Sequence, residues 1–339
     1  MTLRDVADRL GLSANTVSRA LAGKDQVSEA TRALVAAEAK RLGYVPNSHA
    51  RSLVSGRTMV VGLVITNPSN PFYAALISAV ERECRAAGYS VLLLVTEDSG
   101  ENEKRAVQQL LRFGVDGVLG VATESRSDVW DGLSEAGIPV VQLSRDASGR
   151  GLDFVGTDVE SAIADAVTRV ARDGVRRVWL LEEDLRISTV DARVAGFRRA
   201  LDELGVAPEH ALVLKVPTRR TSGASLPWRP DDAYALAANL ITRDNHPDLV
   251  VTANDYFALG LYRAIRECGL AVPDDVRVLG YGDHPFAAYL HPALSTIRLP
   301  ADEAGTAAVD LLLRRIADPD RPRAVIRLPA ELVERRSTE

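Results

Sequence analysis

Hydrophobic positions change their period near residue 59. In the first 45 residues they recur at helical spacing. Leu3, Val6, Ala7 and Leu10 fall on one face, and Gly11 ends that helix. Ser13 is placed to cap a second helix carrying Val17, Ala20 and Leu21, which Gly23 breaks. Ser28 caps a third, running to about Leu42 and closed by Gly43. Its positions Ala30, Leu34, Ala37 and Leu42 are expected to pack on the first two helices. Pro46 and Asn47 open a linker, and 48–55 can add a helical turn or two before Gly56.

From Met59 onward, short apolar runs alternate with amphipathic stretches. Strands are expected at 60–65, 90–95, 117–121 and 140–143, with helices at 72–87, 102–113 and 128–136 between them. A second series places strands at 177–181, 212–216, 249–252 and 276–280, with helices near 161–172, 191–204, 231–241 and 255–268. Such alternation implies parallel sheets joined by right-handed crossovers. Two series imply two doubly wound subdomains, with a ligand cleft facing the carboxyl ends of their strands. The stretch 217–230 is irregular and reads as a surface loop.

Composition adds one asymmetry. The chain has 339 residues and a net charge of −5. Residues 1–57 carry nine Lys/Arg against five acids, a balance of +4, which leaves −9 on the remainder. A basic head on an acidic body suits phosphate binding at one end. The two cysteines, Cys84 and Cys268, form no metal or redox spacing, and they exclude a disulfide framework. The five histidines show no metal spacing, so no metal or cofactor is expected. No apolar run approaches the ~20 residues needed to span a membrane, and the start shows no signal region, so a cytoplasmic protein is expected. Enzyme signatures are missing: no Gly-x-Gly-x-x-Gly after a strand, no phosphate loop, no nucleophile elbow. No catalytic residue is therefore assigned. His284 and Asp283 lie near the expected cleft, and His284 is expected to serve only in a surface loop.

The segment 3–21 has helix-turn-helix mechanics. Ala7 is small where two helices cross, Gly11 allows the tight turn, and Leu12 and Val17 plug the small core. The second helix then presents Ser13, Ala14, Asn15, Thr16, Ser18 and Arg19. These are short polar groups and one arginine, suited to base edges and phosphates; Asn pairs with adenine and Arg with guanine.

Five blocks then occur in order: TLRDVA at 2–7, LSANTVSRAL at 12–21, VSEATR at 27–32, LGYVPN at 42–47 and ARSL at 50–53. Further blocks are NPFY at 70–73, RVAGF at 193–197, AND at 253–255, GYGD at 280–283, PALST at 292–296 and LVERR at 332–336. Over nearly its whole length the chain resembles the lac repressor/galactose repressor family of bacterial regulators. The resemblance implies a small all-α helix-turn-helix headpiece and an α/β core of two doubly wound parallel-sheet subdomains, like a periplasmic binding protein. The expected partition is a headpiece at 1–45, a hinge at 46–58, one subdomain at 59–157 with 291–319, and the other at 158–290 with 320–339. It also implies a repressor: a homodimer on a pseudo-palindromic operator in double-stranded DNA, controlled by a small-molecule effector. Tetramerising members carry a C-terminal heptad helix, and none follows Arg336 here, so a dimer is expected.

The resemblance assigns roles residue by residue. Ala14 and Asn15 occupy base-choosing positions; Thr16, Ser18 and Arg19 match phosphate- and base-contacting ones; Thr2, Leu3 and Ser13 are assigned to the DNA-binding set as well. On operator the linker folds into a hinge helix in the minor groove, where a leucine wedges into the central base step. Leu53 stands at that place, among Asn47, His49, Ala50, Arg51 and Val54. Effector positions match Phe72, Tyr73, Ser144, Arg145, Thr189, Arg193, Trp228, Asn254 and Asp283. Two departures matter. Sugar-binding members often have Asp where this chain has Ser144, and many have Asp where it has Gly282. With fewer counter-charges beside Arg145 and Arg193, charge logic favours an anionic ligand such as a sugar acid over a neutral sugar. The alternatives are a sugar-binding sensor without DNA function, or an enzyme using the same cleft.

Overall fold

The computed structural model describes residues 2–21, 27–44, 56–123, 128–146, 151–171, 175–218 and 228–339. The chain forms two compact units, Met1–Met59 and Val60–Glu339.

The first unit holds three helices, α1 (Leu3–Leu10), α2 (Ala14–Leu21) and α3 (Glu29–Arg41). Local hydrogen bonds start each of them. Thr2 and Asp5 form a reciprocal capping box, with the Thr2 amide 2.6 Å from the Asp5 carboxylate. Ser13 Oγ accepts the Thr16 amide at 3.1 Å, and Ser28 Oγ accepts the Thr31 amide at 3.2 Å. Gly11, at φ 64°, ends α1 in the left-handed conformation that glycine adopts freely. The core is small: Val6, Ala7, Val17, Ala20, Val27, Val35 and Ala39. The expected inward face of α3 is off by one position. Ala30, Leu34 and Ala37 are exposed, and Val35 and Ala39 are buried instead. With alanine on every side of α3, the hydrophobic pattern has too little contrast to fix the facing.

The second unit runs β1 (Val60–Ile65), α4 (Pro71–Ala86), β2 (Ser90–Val95), α5 (Gly100–Phe113), β3 (Gly117–Gly120), α6 (Asp131–Glu135), β4 (Val140–Leu143) and β5 (Asp153–Thr157). It continues α7 (Val159–Val170), β6 (Val178–Glu183), α8 (Ser188–Leu204), β7 (Ala211–Val216), α9 (Pro230–Leu240), β8 (Leu249–Thr252), α10 (Asp255–Glu267) and β9 (Arg277–Tyr281). Last come β10 (Ser295–Arg298), α11 (Ala301–Ala317), β11 (Val325–Leu328) and β12 (Glu331–Val333). Two six-stranded sheets result, in the orders β11-β5-β4-β3-β1-β2 and β12-β10-β9-β8-β6-β7. Every pairing is parallel except β10 with β12. Central strands such as β6 and β8 are buried throughout, because helices cover both faces of such sheets.

The subdomain boundaries drawn from sequence need correction in two places. β10 belongs to the second sheet, although 291–319 was assigned to the first subdomain. β11 belongs to the first sheet, although 320–339 was assigned to the second. The chain thus passes between subdomains after β5, after β10 and after β11. α11, unread in the sequence, packs on α4. There a Cβ on Gly305 would lie 2.6 Å from the Ala79 methyl, and Arg82 grips Asp302 at 2.9 and 3.1 Å. Strands of three or four residues at the chain end carry too little periodicity to be assigned to a sheet by pattern alone. Among the described residues no helix is long and apolar enough to cross a membrane.

Candidate functional site

In the first unit, α2 is anchored by Val17 and Ala20, both buried. That fixes its opposite face toward solvent. Ala14, Asn15, Ser18 and Arg19 are exposed there, as is Ser13 just before it. Thr16 is half-buried, and its hydroxyl lies 2.8 Å from that of Ser13. Those two hydroxyls, like that of Thr2, serve the helix starts. Leu3 packs against the helical core. Asn47, His49, Ala50, Arg51, Leu53 and Val54 lie outside the described residues.

In the second unit the carboxyl ends of the strands converge on a cleft enclosing about 790 Å³, its open mouth included. Thr66 and Asn67 follow β1. Asn70 caps α4 by accepting the Phe72 amide at 2.9 Å, which sets Phe72 and Tyr73 at the cleft wall with their rings edge to face at 5.4 Å. Asp98 follows β2, and Ser144 and Arg145 follow β4. Ser144 sits at φ 59°, a left-handed turn that swings Arg145 back across the sheet. From the other subdomain come Glu183 at the end of β6, Thr189 and Arg193 on α8, Trp228, Asn254, Gly282 and His284.

The charges in this cleft are buried and matched. Arg145 donates to Asp98 Oδ1 at 2.5 Å and to the Ala122 carbonyl at 3.1 Å. Arg193 is held by Glu182 at 2.7 Å and Glu183 at 2.6 Å, with its guanidinium 5.2 Å from the Tyr281 ring centre. Glu183 also accepts the Trp228 indole N–H at 2.5 Å. Burial works against charge on both guanidiniums, but the facing acidic groups outweigh it, so both arginines stay ionised. Burial pushes the Tyr73 phenol up. His284 is 3% exposed among the rings of Trp228, Tyr256 and Phe286, and burial drives its imidazole down to about 4. Its amide donates to Asp255 at 2.8 Å. Burial raises the Asp255 carboxyl to about 6 although it also accepts the Thr296 hydroxyl.

A helix pair with an exposed reading face, carried by a chain whose second unit closes on such a cleft, invites comparison with known proteins. Residues 2–47 match the family "Bacterial regulatory proteins, lacI family", and residues 167–338 match the periplasmic binding protein-like domain. The chain is 31% identical over 338 residues to the ribose operon repressor of Escherichia coli K12, covering 99% of both chains. It is 30% identical over 339 residues to the transcriptional repressor PurR of Pasteurella multocida, covering 100% of this chain and 98% of that one. The lac repressor dimer bound to operator and the anti-inducer ONPF superposes with a TM-score of 0.87 at 25% identity, over 100% of this chain and 99% of that one.

The chain belongs to the lacI family of bacterial regulatory proteins. It is a DNA-binding transcriptional repressor controlled by effector binding. In this regulator, eight of the nine effector positions named from the sequence line one cleft: Phe72, Tyr73, Ser144, Arg145, Thr189, Arg193, Trp228 and Asn254. The ninth does not. Asp283 turns away, gripped by Arg298 at 2.8 Å and Arg335 at 2.7 Å. Its neighbour His284, expected in a surface loop, is buried and lines the cleft instead. The charge argument for an anionic ligand also fails at its premise, because Arg145 and Arg193 both have close carboxylate partners. Sequence reasoning missed Asp98, Glu183 and His284. One signal was available: two acids end the otherwise apolar run VWLLEE of β6, and a buried strand seldom ends on paired carboxylates without a cation to match them.

Proposed function

We propose that this chain works as a homodimer that reads a pseudo-palindromic operator with α2 and is governed by a neutral sugar or sugar derivative in the cleft. It acts by binding rather than catalysis, in the cytoplasm beside the DNA it controls. One observation carries the effector class: the described arginines and carboxylates of the cleft are bound to each other, so an added net charge would have no free partner there. A ligand rich in hydroxyls can use the neutral donors and acceptors of Thr66, Thr189 and Asn254 and rest on Phe72 and Trp228. The relatives' roles as repressors support the DNA side, as does the exposed face of α2.

In this reading Leu53 wedges into the minor groove at the centre of the operator. Leu53→Ala weakens operator binding strongly without unfolding the core. Closing the cleft on a ligand changes the spacing of the two hinges, and the differential affinity of the ligand for the two states sets the size of the response. The test has two arms. Selection of binders from a random duplex pool at fixed salt recovers a palindrome, and titration with neutral sugars and their acids shows a preference for the neutral form. Failure to enrich any sequence, both without ligand and with the candidate sugars, removes the operator reading, and a preference for the acids removes the effector class.

A further inference from the structure

Gly282 and His284 share one volume. A Cβ placed on Gly282 would lie 2.9 Å from His284 Cε1, 3.2 Å from Nε2 and 3.3 Å from Nδ1, so the imidazole lies where a side chain at 282 would begin. Gly282 holds φ 126°, a backbone region closed to other residues, which keeps that volume open. The ring is then fixed from several sides. Tyr256 lies 5.2 Å away, Phe286 5.9 Å and Trp228 6.2 Å, centre to centre, and the Asn254 amide nitrogen is 3.4 Å from Nε2. The main chain of His284 is tied to Asp255. Among the described residues, no other histidine lines the cleft.

We infer that His284 is the specificity-determining residue at this end of the cleft, and that it selects ligands presenting a hydroxyl there over ligands presenting an ammonium or a carboxylate. The inference rests on the reading of the cleft as a sugar site. A neutral imidazole has one donor and one acceptor nitrogen, and a hydroxyl can serve either. An ammonium would enter with no free carboxylate among the described lining, since Asp98 holds Arg145 and Glu183 holds Arg193 and Trp228. A carboxylate would meet arginines already engaged. Burial keeps the imidazole uncharged at neutral pH, so it offers neither intruder a counter-charge. Asp283 adds none, because Arg298 and Arg335 hold it outside the cleft.

The test is calorimetric titration of the full chain with D-ribose, D-glucose and D-galactose and with amino-sugar and aldonic-acid counterparts of these aldoses. Wild type binds one neutral sugar better than its charged counterparts. His284→Ala weakens that sugar about tenfold, the loss expected when a buried hydrogen-bonding group is left unmatched. His284→Asn keeps a neutral polar group and retains the order of preference. His284→Asp moves the neutral-to-amine affinity ratio toward the amine by about tenfold. Cooperative urea unfolding, measured in parallel, shows each variant folded. If the Ala and Asp variants keep the wild-type ratio while the sugar still binds, the role of His284 is overturned and the sugar site stands. If wild type binds none of these compounds, the sugar reading falls and this inference with it.

Discussion

In the head, Ser13 meets Thr16 three residues along, and Thr2 meets Asp5 at the same separation. In the cleft, Arg145 meets Asp98 across 47 positions and Trp228 meets Glu183 across 45. The head presents short side chains from one helix to solvent, and its three helices need only a handful of buried residues to hold that face. The cleft draws its lining from both sheets and places ionised groups where water is scarce. A change in the head should therefore act locally and mildly on stability while altering recognition. A change in the cleft should act on the whole core.

The largest expected effect is at Arg193. Arg193→Ala leaves Glu182, fully buried, and Glu183 without their cation, and should cost about 3–5 kcal/mol in urea unfolding of the core. A loss below about 1 kcal/mol would show that these carboxylates need no cation, and would erase the contrast with the head.

Next is a pH effect. With its folded value depressed to about 4 from 6.5, His284 contributes stability that is fully present above pH 6.5 and lost as pH falls toward 4. The stability of wild type relative to His284→Asn should thus shrink by about 3 kcal/mol between pH 7 and pH 4. Asp255 works in the opposite sense, its contribution being lost as pH rises from 3.8 through about 6, so only the comparison with the variant isolates the histidine. A constant difference across that range would mean that the imidazole is not buried as described.

Smaller effects belong to the head. Asn15→Ala should change stability by no more than about 0.5 kcal/mol, yet relax discrimination at one operator position by about 1–3 kcal/mol in competition binding. Equal losses on all sequences would make Asn15 a backbone contact instead. Ser13→Ala removes the cap of α2 and should cost about 1 kcal/mol in the head alone, with the core transition unmoved. A shift of both transitions together would show that the units unfold as one.

Local pattern made the head legible, because caps, turn glycines and buried positions lie within a few residues of each other. Its one misreading, the inward face of α3, came where alanine removed the contrast. The core strands from β1 to β4 and β6 to β9 were legible for a similar reason: each is an apolar run bounded by helix signals. Residues 153–157 and the last three strands were not: DFVGT and STIR mix polar with apolar residues, and VIRL and ELV are partly exposed strands at the sheet edges.

The cleft was legible as a set of residues and illegible as a set of charges. Phe72, Arg145, Arg193 and Asn254 could be named from the motifs that surround them. Their partners could not, since Asp98 and Glu183 stand in unrelated stretches of the chain. Adjacent residues could not be told apart either. Asp283 and His284 differ by one position, and a backbone turn at Gly282 sends the first to Arg298 and Arg335 and the second into the cleft.

The sequence by itself determined the three-helix head, the alternating α/β core and the membership of both in one family of regulators, because those rest on periodicity and on motifs read within short windows. Only the tertiary structure decided which sheet takes β10 and β11, which acids neutralise the two buried arginines, and that His284 rather than Asp283 lines the cleft. Those outcomes depend on which distant segments share a low-dielectric space, and buried charges must find partners wherever the fold brings them together.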